Sequence, residues 1–217
     1  AILIEGATER IILPEMIRKV DESKGIFLRS KYLSVVEVGG AYAHHFYKFI
    51  DFLELKTLFI TDLDSVEKTK SETKTTYPAS IVSKGTHSSN AGLANWFGKD
   101  GYADLNEIRG KDEASKILGC RRLAFQVEEQ EEGVCGRSFE EAFILANIEL
   151  FELKELKGLD LEQAIFKKAK EIGKESKANF SIKYAVENTK WAVPKYIFEA
   201  LEWLDTDSVA QPMEVQL

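Results

Sequence analysis

"LFITDLDSV", Leu58–Val66, runs mostly apolar residues up to two aspartates one residue apart. The apolar part reads as a buried strand. An aspartate after a strand is, in its simplest reading, a turn residue, because its side chain caps the local backbone. Two other readings compete. Asp62 and Asp64 are ligands of a divalent metal, or they are a phosphatase nucleophile and its partner acid. The residues around the stretch have to decide.

Upstream, "ILIE", Ile2–Glu5, is a second apolar run, and Gly6 offers a sharp backbone turn after it. Helical spacing follows at Ile11, Ile12, Met16, Ile17 and Val20, with Thr8 as the expected cap and Pro14 expected in the first turns. "YLSVVEVGG", Tyr32–Gly40, predicts the next strand, and "AYAHHFYKFIDFLEL", Ala41–Leu55, the next helix. "KTLFIT" then predicts the third strand. Strand and helix alternate with short turns, so the expected fold is α/β, a parallel sheet flanked by helices.

Residues 63–88 break that rhythm. They are polar, rich in Thr and Lys, and predict a long loop with a short strand at "PASIVS", Pro78–Ser83. Helices are expected at "NAGLANWFG" (Asn90–Gly98) and "DEASKILG" (Asp112–Gly119), and a fourth strand at "RRLAFQVEE" (Arg121–Glu129). "SFEEAFILANIELFEL", Ser138–Leu153, predicts a strong helix, and two or three more run from Leu161 to near Leu204. The expected organisation is one unit over residues 1–150, with a polar insertion over about 63–110, and a helical appendage over 151–217 that completes the active site.

The 217 residues are 44% hydrophobic and 30% charged, ordinary for a soluble globular protein. No apolar run approaches the ~18 residues of a membrane span. No signal peptide is visible. Two cysteines, Cys120 and Cys135, make no disulfide framework, and the expected setting is cytoplasmic. A net charge of −7 argues against a protein that grips nucleic acid through an overall basic surface. The charge is uneven, however: Lys154–Lys195 holds ten lysines against six acids, while "VEEQEEG", Val127–Gly133, is dense in acids. Because the chain opens inside a strand, it is expected to be a piece of a longer protein.

In a parallel sheet, function gathers at the C-terminal ends of the strands. Glu5 stands there after the first strand, with Glu9 in the turn of helix beyond it. Asp62 and Asp64 stand there after the third. Like charges brought together need neutralising. An all-oxygen set with no nearby histidine or cysteine group points to Mg²⁺ or Mn²⁺. His44 and His45 are adjacent and cannot share one helix face. GxxxxGK[ST] is absent, so no ATP site is visible.

The order "ILIEGATE", "VEVGG", "LFITDLDS" resembles the Toprim domain of topoisomerases, primases and related nucleases. More closely, "EGATERIILPEMI", "VVEVGGAYAHHFYKFIDFL", "TDLDS", "SKGTHSSN" and "CGRSFEEAFILAN" resemble the C-terminal nuclease half of the OLD (overcoming lysogenization defect) family, second class, over most of residues 1–190. The resemblance implies a Toprim-like fold and a nuclease that cuts or nicks DNA with two divalent ions. Glu5, Asp62 and Asp64 would form one metal site. Glu9 and an acid of "SFEEAF" would contribute to a second. Glu140 matches the pattern better than Glu141, for which a surface position is the expectation. A lysine near the metals falls on Lys177, with Lys183 as the fallback. Arg137 and Ser138 would orient phosphate, and Lys84 in "SKGTHSSN" would touch the DNA backbone. The family also implies an ATPase half that precedes the nuclease half and lies outside this chain.

Two alternatives come from other classes. "FITDLDSV" also fits a haloacid-dehalogenase-like phosphatase loosely, with Asp62 attacking phosphorus, but that leaves Glu5 and Glu9 unexplained. A catalytically silent Toprim-like binding module is the other.

Overall fold

The computed structural model describes residues 1–39, 42–129 and 133–206. The first residue of the expected second helix, the middle of the acid-dense segment 127–133, and the end of the appendage beyond 206 lie outside the described residues. In chain order the elements are β1 (Ile2–Ile4), α1 (Ala7–Lys24), β2 (Val35–Glu37), α2 (Tyr47–Leu53), β3 (Thr57–Ile60), β4 (Ser65–Val66), β5 (Thr69–Lys70), β6 (Thr75–Thr76) and β7 (His87–Ser88). There follow α3 (Ala91–Trp96), β8 (Ala103–Asp104), α4 (Leu105–Arg109), β9 (Ile117–Leu118), β10 (Arg121–Ala124), α5 (Phe139–Ala146), α6 (Gly158–Glu175), α7 (Lys177–Ile182) and α8 (Lys195–Asp205).

The central sheet has the order β2-β1-β3-β10-β9. β2, β1, β3 and β10 run parallel, and β9 joins β10 antiparallel. Its strands alternate strictly between two cores. Ile2, Ile4, Leu58, Ile60 and Ala124 face one cluster, built with α1, α5, α6, α7 and α8. Leu3, Phe59 and Leu123 face the other, built with α2, α3 and α4. Both faces are covered, so these strands read as continuous apolar runs. The C-terminal helices share one core with β1 and α1. Phe143 of α5 sits among the rings of Phe139, Phe151, Phe180, Tyr184 and Trp191, at centroid distances of 4.9–6.2 Å. Among the described residues, no helix is long and apolar enough to cross a membrane.

Residues 63–88 fold where a long loop was expected. β4, β7 and β8 form a small antiparallel sheet, and β5 and β6 form a hairpin beside it. Gly85 makes this close packing possible: a Cβ there would collide with Ser65 Oγ and stand 2.7 Å from Leu105 Cδ2. "PASIVS" is no strand; it contributes one bridge, Val66 to Ala79, and then turns.

Several local expectations are corrected. Thr8 does not cap α1; Gly6 holds the cap position without a side-chain bond, and Thr8 is buried inside the helix. The chain does bend at Glu5 and Gly6 between β1 and α1, but Gly6 is in an extended conformation (φ −164°, ψ −168°) that does not require glycine. Pro14 lies in the helix interior rather than its first turns. There its missing N–H removes the bond that the carbonyl of Arg10 would receive. The second helix is shorter than expected, a 3₁₀ turn (Ala43–Phe46) leading into α2. "DEASKILG" is a 3₁₀ turn followed by β9. The helix of "SFEEAFILANIELFEL" stops at Ala146, capped at its start by Ser138.

Candidate active site

Three strand ends build the site. Glu5 follows β1, Thr61 and Asp62 follow β3, and Gln126 follows β10 by two residues. The first acid is clamped: Glu5 Oε1 accepts from the Asp62 amide at 2.9 Å, from Asn90 Nδ2 at 3.0 Å and from the Thr61 hydroxyl. The second is clamped from the other side: Asp62 Oδ1 accepts from Gln126 Nε2 at 2.7 Å and from the Phe139 amide, the first of α5, at 2.9 Å. A carboxylate at that helix start also gains from the helix dipole.

Glu9 is buried on the first turn of α1. Burial pushes its carboxyl up to about 7, and repulsion from Glu140 and Glu5 adds to the rise. Asp62 is raised well above the usual carboxylate range, first by burial and then by Glu5, Glu9, Asp64 and Glu140. These mutual repulsions mark a single cluster. Asp64 sits at its edge with a left-handed backbone (φ 47°), and burial raises its carboxyl although Arg137 Nη2, 3.0 Å away, opposes the rise. Glu140 is buried and pairs with Lys177 Nζ at 2.8 Å. Burial pulls the Lys177 ammonium down, but the Glu140 bond and the charges of Glu140, Asp62 and Glu9 outweigh it, so its pKa is raised.

Of the sequence-predicted residues, the structure thus brings together Glu5, Glu9, Asp62, Glu140 and Lys177, with Asp64 and Arg137 alongside. Glu141 is not on the surface as expected. It is buried, accepts from the Arg137 amide at 3.0 Å, and burial pushes it up to about 7. Ser138 caps α5, its Oγ accepting from the Glu141 amide at 3.5 Å, which leaves its O–H as a donor. Lys183 lies in a π turn over the ring of Tyr184, at 5.2 Å, rather than against the acids. Lys84 is exposed on the turn before Gly85. His87 bonds Thr86, and His44 lies tilted against His45; none of these rings joins the acids.

Three further residues were missed. Thr61, Asn90 and Gln126 position the acids. Gln126 carried a usable signal, a polar residue just past an apolar strand on the functional edge. Asn90 was legible only as a cap: its Oδ1 does accept from the Leu93 amide at 3.0 Å, while its Nδ2 reaches Glu5, Thr61 and the Asp62 carbonyl.

The donor set suits a hard divalent cation: all oxygens, partly buried, with more acids than cations to balance them. Among the described residues, no three of these side chains are already gathered tightly enough to hold an ion. Lys177, Arg137, Gln126 and the Phe139 amide each bond a carboxylate oxygen of these acids.

A pH dependence follows. Glu9 rises from 4.5 to about 7 on folding. It therefore binds its proton more tightly folded than unfolded. Its contribution is fully present below about pH 4.5 and lost as pH rises through about 7. The expected size is on the order of 3 kcal/mol. Thermal unfolding in EDTA should show the protein less stable at pH 8 than at pH 5. Glu9→Gln should flatten that slope, and Mg²⁺ should stabilise more at pH 8 than at pH 5. A slope unchanged by Glu9→Gln would contradict this account.

Residues 1–64 match the family described as "Overcoming lysogenization defect protein-like, TOPRIM domain". The chain is also 31% identical over 224 residues to "Endonuclease GajA" of Bacillus cereus (strain HuB5-5), an alignment covering 94% of this chain. The chain spans 31% of that protein's length. No solved structure matches the chain. β1, β3 and the acids that follow them lie inside the segment that matches this Toprim family.

Proposed function

We propose that this chain is the catalytic part of a divalent-metal-dependent DNA nuclease that hydrolyses phosphodiester bonds. The observation that carries it is the convergence of Glu5, Glu9, Asp62, Asp64 and Glu140 on one sheet edge beside Lys177. The Toprim domain and the name of the similar endonuclease support the nuclease class. In this reading Glu5, Asp62 and Asp64 hold one Mg²⁺ or Mn²⁺, and Glu9 and Glu140 contribute to a second. When bound, such a pair supplies a nucleophilic water near neutral pH and stabilises the leaving oxygen.

The chain's own groups supply the rest. Thr61 and Asn90 hold Glu5, and Gln126 and the Phe139 amide hold Asp62, so the carboxylates are set before substrate arrives. Lys177 is exposed enough to leave Glu140 and meet a phosphate; its ammonium offsets the negative charge that grows as the bond breaks. Arg137 holds Asp64 and offers its remaining donors to a neighbouring phosphate. Lys84 touches the DNA backbone from the adjoining turn. We also propose that residues 1–150 form the nuclease unit, that the helices of 151–217 complete the site by delivering Lys177, and that an ATPase region elsewhere in the protein governs cutting. The chain's 31% share of the similar endonuclease leaves room for such a region. The phosphatase alternative leaves Glu5, Glu9 and Glu140 without a role.

The test is cleavage of supercoiled plasmid by the intact protein in Mg²⁺, in Mn²⁺ and in EDTA. Nicked or linear product that depends on metal supports the nuclease. Absence of product together with absence of metal binding returns the silent-module alternative. Lys177→Ala should lower the rate by roughly 10²-fold while titration calorimetry shows metal affinity little changed. An unchanged rate would remove Lys177 from the chemistry.

A further inference from the structure

The ribbon that leaves the site directly after Asp64 has no part in the chemistry described above. Its ladder is continuous. Ser80 N donates to Ser65 O at 3.1 Å, Val66 bridges Ala79, Glu67 N donates to Pro78 O at 3.0 Å, and Thr69 and Lys70 pair with Thr76 and Thr75. Ser71 and Lys74 close the turn. From Ser65 to Ser71 the ribbon advances roughly 20 Å at ~3.3 Å per residue. Its base is fixed to the site: β4 pairs with β7, and the Ser89 amide donates to Asp64 O at 3.1 Å.

Residues 68–76 of this ribbon are exposed throughout, and none of them is apolar. It buries nothing, so packing does not explain its presence. Alternation sorts its side chains onto two faces. Lys68, Lys70, Thr75 and Tyr77 share one; Glu67, Thr69 and Thr76 share the other, and Glu72 lies in the turn. The acids are thus kept off the lysine face. Lys68 and Tyr77 stand opposite each other, with Lys68 Nζ 6.0 Å from the ring. Tyr77 stacks on Tyr102 at 3.8 Å, and His87 meets its edge at 5.7 Å, which stiffens the root of that face. Among the described residues, neither lysine is held in an ion pair.

We infer that residues 65–80 form a nucleic-acid arm: the Lys68, Lys70, Thr75 face lies along the phosphate backbone of the substrate beside the cut. Lysines and hydroxyls are the groups that contact phosphates without reading sequence, and a two-stranded ribbon is narrow enough to lie along a duplex groove. The arm offsets the repulsion that the acid cluster and a net charge of −7 would otherwise exert on DNA. This rests on the nuclease reading only for the choice of partner.

The experiment compares the intact protein with its Lys68→Ala/Lys70→Ala and Lys68→Arg/Lys70→Arg variants, measuring binding to a labelled duplex over a series of salt concentrations, and cleavage separately. With both ammonium groups removed from the phosphates, the alanine variant should bind about 10-fold more weakly. The slope of log K against log salt should flatten by about 2, at ~0.9 for each phosphate no longer neutralised. The arginine variant should retain both, and cleavage at saturating DNA should be unchanged in either. Equal affinity and slope in the wild type and the alanine variant overturn the arm while leaving the nuclease intact. A wild type that neither binds nor cuts DNA overturns the nuclease reading, and the arm with it. Binding that depends on the arm without cutting supports the arm and counts against the nuclease.

Discussion

Asp62→Asn is expected to reduce metal-dependent cleavage by roughly 10³-fold while leaving the metal-free protein at least as stable as the wild type. The two effects have one cause. Asp62 is crowded by Glu5, Glu9, Asp64 and Glu140, and burial and repulsion raise its carboxyl far above the usual range. That charge is unfavourable in the folded state until a cation balances it. An amide of the same shape removes the repulsion. Its carbonyl still accepts from the Phe139 amide, the bond that now spans 2.9 Å. The site gives up stability for binding, as active sites often do. Plasmid cleavage and urea unfolding in EDTA check both halves. A variant that cuts at the wild-type rate would remove Asp62 from the site, and one that is folded but much less stable would show its charge to be structural.

Phe143→Ala is expected to cost about 3–5 kcal/mol of stability. Phe143 is fully buried in a knot of five other rings drawn from α5, the segment after it, α7 and the stretch leading to α8. Truncation leaves a cavity that rings on four segments cannot all close. The consequence reaches the site, because Phe180 packs on Phe143 from α7, whose first residue is Lys177. Loosening α7 should weaken the Lys177–Glu140 contact, so cleavage should fall along with stability. Phe143→Leu should recover much of both. Denaturant unfolding that finds a loss under about 1 kcal/mol would show the C-terminal helices to be packed independently of this ring.

The sequence by itself determined the frame. Strands buried on both faces are apolar throughout, so β1 and β3 could be read directly from "ILI" and "TLFI", and the α/β alternation followed. The same edge rule put Glu5, Asp62 and Asp64 where strands end, and Glu9 followed from one turn of helix. These are short-range consequences of local pattern. Most errors fell where tertiary packing overrode it. The apolar spacing of Ser138–Leu153 continued past Ala146, yet the helix ends there because Asn147 turns its side chain to Phe143 O and to the backbone of Ala192. "DEASKILG" looked helical, but Ile117 and Leu118 pair with β10, a partner set by the sheet rather than by neighbours in sequence. Glu141 looked exposed because nothing in its own helix shows that Arg137 and the preceding loop fold over it.

The second half of the site belongs to tertiary structure alone. Asn90 reaches Glu5 across 85 positions, Gln126 reaches Asp62 across 64, and Lys177 meets Glu140 from a different helix. No periodicity encodes such contacts, since each depends on where two distant elements stop. What periodicity can supply is the strand that ends in an acid; what holds that acid in place, and which lysine of the ten between Lys154 and Lys195 stands against it, is decided only when the helices close over the sheet.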